Sequence, residues 1–166
     1  DDITLRTFLC GLYHSVDGEF KERDFAIITL FLNCGLRLSE LVGINLEHIK
    51  GDTLSVIGKG NKERSVHLNK ACLDAIETYL RVRPQDKVKG DDRRALFLSK
   101  RFKRISPRMV EIMVKQYIIE AGLDPKKYTP HKLRHTAATL MHKHAGVDIR
   151  TLQQVLGHET IATTQI

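Results

Sequence analysis

Apolar positions along this chain follow a helical period over most of its length and switch to alternation once. Leu5, Phe8, Leu9 and Leu12 share one face of a first helix. Residues Arg23 to Asn33 are nearly all apolar, the pattern of a buried helix, and Gly35 ends it because glycine tolerates the left-handed cap. Ser39 to Val42 predicts a short helix. Thr53 to Ile57 and Arg64 to Leu68 then alternate and are rich in β-branched residues. They flank the polar, glycine-containing Gly58-Lys59-Gly60-Asn61-Lys62-Glu63, so the pair reads as a β-hairpin. Asn69 caps a helix over Lys70 to Val82, and Leu96-Phe97-Leu98 suggests a third strand. Ser106-Pro107 and Thr129-Pro130 are cap-plus-proline starts, for helices running to Gly122 and from His131 to about His144. A further helix is expected over Asp148 to Leu156, closed by Gly157, and Thr160 opens a last one. The fold class is α+β, mainly α-helical with a small antiparallel β-sheet or hairpin.

Composition narrows the partners. At 166 residues the chain is long enough for one domain with its own core. Its formal net charge of +7 favours polyanions, nucleic acid first among them. Between Arg81 and Lys115 twelve Lys or Arg stand against four Asp or Glu, which points to a DNA-facing surface over a merely solvated loop. Cys10, Cys34 and Cys72 are scattered and odd in number, which fits a reducing cytoplasm without a disulfide framework. His131 and His135 lie four apart, but no Cys-x-x-Cys pair or third ligand is near, so no metal is assigned. The longest nearly apolar run, Phe25 to Leu32, is too short to span a bilayer, and no signal peptide is visible. No membrane partner is expected, and the localisation is read as cytoplasmic. The chain opens on Asp1 and is expected to be a fragment.

Three stretches carry chemistry: Gly35-Leu36-Arg37-Leu38-Ser39-Glu40-Leu41, His131-Lys132-Leu133-Arg134-His135 and Leu156-Gly157-His158. Breaking a phosphodiester requires charge stabilisation at the phosphoryl oxygens, a proton acceptor for the nucleophile and a proton donor for the leaving oxygen. Arginine suits the first task through its planar, permanently charged fork; lysine and histidine suit the others. His131 and Arg134 stand at i and i+3, on one side of a helix whose first turn favours an anion. His135 reads as a core or supporting histidine. Each feature also has a plain reading. Arg37 pairs structurally with Glu40, His131 and Arg134 decorate a helix start, His158 sits in an ordinary loop, and Lys59 is a solvated turn lysine.

Taken together, in this order and spacing, the motifs resemble the tyrosine site-specific recombinases, the phage integrase family, in its Xer-like branch. Arg23 to Ile44, Val56 to Arg64, Thr129 to Leu140 and Leu152 to Thr164 all look like that family's catalytic domain, so the resemblance covers nearly the whole chain. It implies the DNA breaking-rejoining fold and cleavage through a 3′-phosphotyrosyl link, with neither metal nor ATP as cofactor. By the same resemblance Arg37 and Arg134 clamp the scissile phosphate, Lys59 protonates the departing 5′-hydroxyl, His131 assists proton transfer and His158 hydrogen-bonds the phosphate. Glu40 supports Arg37, and Lys62 and Arg64 on the hairpin touch DNA. The family's nucleophilic tyrosine would be residue 167; Tyr13, Tyr79, Tyr117 and Tyr128 do not match its motif.

Residues 1–166 are therefore expected to form a single catalytic domain that lacks the family's N-terminal DNA-binding domain and stops before the nucleophile. Such a chain binds double-stranded DNA without cutting it and is monomeric, whereas the full-length protein forms a homotetramer on DNA. Alternatives stay open: a type IB topoisomerase with a similar constellation, a non-catalytic DNA-binding module derived from an integrase, and a basic helical domain with no catalytic history.

Overall fold

A computed structural model describes residues 20–143. Its first helix, α1 (Lys21–Cys34), is the organising element, and its sequence explains why. Ala26, Ile27, Ile28, Leu30, Phe31 and Leu32 are all buried, so the helix is covered nearly all round rather than along one stripe. Helices α3 (Lys70–Val82) and α5 (Pro130–Lys143) pack against it. The ends of α1 and α3 are tied by polar side chains: Asn69 Nδ2 donates to Asn33 Oδ1 at 2.8 Å, while Asn69 Oδ1 accepts the Cys72 amide at 3.0 Å. Asn69 thus caps α3, as its position in the sequence predicts.

The helix boundaries follow local chemistry. Gly35 closes α1 at φ 62°, ψ 29°, the left-handed region. Short α2 (Leu38–Val42) follows directly. Ser106 Oγ accepts the Met109 amide at the start of α4 (Pro107–Glu120), and Thr129 Oγ1 accepts the Lys132 amide at the start of α5. Both cap-plus-proline signals therefore mark real starts. The helices expected before residue 20 and after residue 143 lie outside the described residues.

The sheet is three-stranded, antiparallel and sequential, with β1 (Ile49–Lys50), β2 (Thr53–Ile57) and β3 (Glu63–His67). In the hairpin register Val56 faces Arg64 and Ile57 faces Glu63, so alternation buries Leu54 and Val56 and leaves the tip in solvent. The third strand is not the one the sequence suggests. Leu96-Phe97-Leu98 is buried, but this segment makes only isolated bridges, Asn45 with Ala95 and Leu98 with Arg104, and the Leu96 amide donates to the Ile44 carbonyl. It is an apolar connector laid across the core, and a run of buried residues alone does not separate that from a strand.

The basic stretch also differs from expectation. Arg83 is buried and donates to the carbonyls of Ala95, Arg93 and Leu96. Arg104 donates to the carbonyls of Val42 and Ile44 and to Asn45 Oδ1. Arg93 donates to the Val88 carbonyl, and Arg94 pairs with Glu47 and Asp91. These arginines satisfy backbone oxygens and nearby carboxylates of an irregular segment. What remains for a polyanion is the exposed set, among it Lys89, Lys100, Arg101, Lys103, Arg108 and Lys115. No helix among the described residues is long and apolar enough to cross a membrane.

Candidate active site

Three segments far apart in sequence converge at the end of α1. Leu36 is fully buried in the extended stretch after Gly35, so its neighbour Arg37 turns outward and is exposed. Arg37 precedes α2 with φ −75° and ψ 156°, and its amide donates to Glu40 Oε1 at 2.8 Å. That bond closes the first turn of α2 from the carboxylate side. Arg37 is therefore fixed through its backbone while its guanidinium points toward solvent.

Helix α5 brings the second arginine. Leu133 is buried and turns its helix face onto the core, which leaves His131 exposed and Arg134 half-buried beside α1. Arg134 Nη2 donates to the Gly35 carbonyl at 2.6 Å. This bond spans a sequence separation of 99 and sets Arg134 against the residue two before Arg37. His131 lies one turn earlier on the same helix. His135 is exposed rather than part of the core, because the core-facing position of that turn is taken by Leu133.

The hairpin supplies the third segment. Its tip folds as a tight turn over Lys59–Asn61, closed by the Gly58 amide on the Lys62 carbonyl at 2.8 Å. Gly60 at φ 74° and Asn61 at φ 60° take the left-handed conformations that reverse the chain. Lys59 and Lys62 are exposed there. The tip does not stand free, for a Cβ added to Gly58 would lie 3.2 Å from Glu40 Oε2. Arg64, on β3, reaches both carboxylate oxygens of Glu40 through Nη2, at 3.3 and 3.4 Å.

Glu40 is thus the joint between Arg37 and the hairpin. Its side chain is 8 % exposed, whereas that of Arg64 is 47 % exposed. Burial opposes ionisation of the carboxyl, but the Arg37 amide and the Arg64 guanidinium outweigh it and hold the pKa below the ordinary glutamate value. The sequence suggests an ion pair between Glu40 and the Arg37 side chain. The structure gives Glu40 the Arg37 backbone and the Arg64 side chain instead. Nothing in the local spacing signals Arg64 as that partner, because the contact depends on how the hairpin folds over α2. His158 lies outside the described residues.

The Gly35 carbonyl thus links the half-buried Arg134 to the segment of exposed Arg37, and Glu40 links that segment to the hairpin that carries exposed Lys59 and Lys62. A profile of the phage integrase family matches residues 11–166. The chain belongs to the phage integrase family. Among curated members, the tyrosine recombinase XerC of Caldanaerobacter subterraneus subsp. tengcongensis is 63 % identical over 155 residues, covering 93 % of this chain and 43 % of that protein. The crystal structure of XerA recombinase superposes with a TM-score of 0.71 at 29 % identity, over 99 % of this chain and 57 % of that one. The XerH site-specific recombinase bound to difH substrate in a pre-cleavage complex gives a TM-score of 0.69 at 25 % identity, over 98 % and 47 %. This phage integrase family chain spans about half the length of the curated relatives it matches.

Proposed function

We propose that this chain is the catalytic domain of a site-specific DNA recombinase that cuts and rejoins strands through a covalent phosphotyrosyl intermediate. One observation carries the reading. The Arg134 to Gly35 hydrogen bond joins the two arginine-bearing segments, and Glu40 ties the lysine-bearing hairpin to the same place.

In the proposed reaction Arg37 and Arg134 hold the non-bridging oxygens of the scissile phosphate and stabilise the charge that builds there, in the manner of a preorganised anion site. A tyrosine oxygen attacks phosphorus, and its proton passes toward His131. The bond to the 5′-oxygen breaks, and Lys59 supplies the proton that oxygen takes up. His158 adds a hydrogen bond to the phosphate. The new phosphotyrosyl bond retains the energy of the old one, so the reverse attack by a 5′-hydroxyl reseals the strand. Double-stranded DNA is the proposed partner, with Lys62 and the exposed lysines and arginines between residues 81 and 115 facing its backbone. The relatives named XerC, XerA and XerH support this choice. The assembled protein is proposed to act as a homotetramer on DNA, in the cytoplasm.

Covalent capture tests the reading. The full-length protein carrying this domain is incubated with nicked DNA, denatured, and the attached strands sequenced. Adducts at one site, lost in Arg37→Ala and in Arg134→Ala, are the expected result. Salt-sensitive binding with no adduct from the unaltered protein overturns the catalytic assignment in favour of a DNA-binding module.

A further inference from the structure

We infer that Arg64 is a positioning residue: it latches the β2–β3 hairpin onto Glu40 and thereby sets where Lys59 stands relative to Arg37. This rests on the proposed role of Lys59 and departs from the plain expectation that a hairpin arginine binds DNA.

Glu40 is the reason. Its carboxylate is almost wholly covered and sits directly behind Arg37, whose amide it accepts. Leaving a covered carboxylate at that point uncompensated costs desolvation, so its position depends on a partner that reaches it. Arg64 is the cation that reaches it, with Nη2 near both oxygens, and so cancels the charge from the hairpin side. Gly58 completes the contact, because only a residue without a side chain lets the turn before Lys59 close down on Glu40 Oε2 without displacing it. Arg64 faces Val56 across the ladder, so its backbone is fixed by the register, and Lys59 follows Gly58 directly. The latch therefore runs from α2 through Glu40 and Arg64 into the rigid part of the hairpin, and Lys59 is carried at its far end. A misplaced general acid is expensive: about 1 Å of displacement costs about 100-fold in rate.

The test separates this inference from the reading it rests on. Cleavage by the full-length protein is timed on ordinary DNA and on DNA whose 5′-bridging oxygen is sulfur, a leaving group that needs no proton. Lys59→Ala and Arg64→Ala are both slowed on ordinary DNA, Arg64→Ala by about 100-fold, and both recover on the sulfur substrate. Arg64→Gln, which keeps most of the stem and loses the charge, behaves as Arg64→Ala. Recovery of Lys59→Ala without recovery of Arg64→Ala overturns the inference. Failure of Lys59→Ala itself to recover sinks Lys59 as the acid, and the salt dependence of DNA binding then decides Arg64 alone. A latch leaves the slope of log affinity against log salt unchanged in Arg64→Ala, while a phosphate contact lowers it by about 0.9 and overturns the inference.

Discussion

Replacing Arg83 with leucine separates the inward arginines of the basic stretch from the outward ones. Arg83 is 6 % exposed. Its Nη2 donates to the Ala95 carbonyl at 2.7 Å and the Arg93 carbonyl at 2.9 Å, and its Nε to the Leu96 carbonyl at 3.3 Å. Ala95 and Leu96 are fully buried, so water has little access to their oxygens once the donor is gone. Two orphaned carbonyls at about 1–3 kcal/mol each give a loss of about 2–6 kcal/mol. Part of that is returned, because burial already holds the arginine pKa below its ordinary value and leucine removes the buried charge. A net loss of about 3 kcal/mol follows. With a urea m-value of about 2 kcal/mol/M, the unfolding midpoint of Arg83→Leu drops by about 1.5 M. Urea titration followed by circular dichroism reads the shift, and DNA binding at several salt concentrations completes the assay. The salt slope stays that of the unaltered chain. An unchanged midpoint with a slope shallower by about 0.9 refutes the reasoning, since Arg83 then faces phosphate and not its own backbone.

Tyr117→Phe removes the hydroxyl that donates to Asp24 Oδ2 at 2.7 Å, leaving a buried carboxyl that burial already pushes to a higher pKa; stability in urea falls by about 1–3 kcal/mol. An unchanged midpoint overturns that account. Gly58→Ala keeps stability within about 0.5 kcal/mol, because the backbone is ordinary there, but in the full-length protein it is expected to slow the proposed cleavage by displacing Glu40; equal rates would show that the contact does not matter. Because the folded pKa of Glu40 is depressed, its contribution is complete above the unfolded value of about 4.3 and disappears as pH falls through the lower folded value. The stability gap between the unaltered chain and Glu40→Gln should therefore close on acidification below that value, and a gap that widens contradicts the sign.

Much of the scaffold was legible because its signals are local. The buried run in α1, its terminal glycine, the Asn69 cap and the two cap-plus-proline starts each act within a few residues, and the structure follows them. The hairpin was legible too, from alternation around a glycine-containing turn. Long-range partners were not. Leu96-Phe97-Leu98 has the composition of a strand, but Ala95 is bridged to Asn45 and Leu98 to Arg104, so the segment crosses the core instead of joining the sheet. Likewise, twelve basic residues in one run say nothing of which will find carbonyls, and Arg83 and Arg104 did. At the site, the residue types at Arg37, Lys59, His131 and Arg134 point to phosphate chemistry, but the pairing of Arg64 with Glu40 depends on where the hairpin lands. That information lives in tertiary geometry, which spacing does not encode.

The bond from Arg134 to the Gly35 carbonyl also has a temporal meaning during synthesis. Its two ends are 99 residues apart in the chain. At about 5–20 residues per second, a ribosome takes about 5–20 s to travel between them. By the end of that interval the nascent domain already holds Arg37, Glu40 and the whole hairpin, while Arg134 is the last of these segments to arrive. Chains abandoned before α5 lack this bond, so the tie between the Gly35 turn and Arg134 forms only with the last of the described helices.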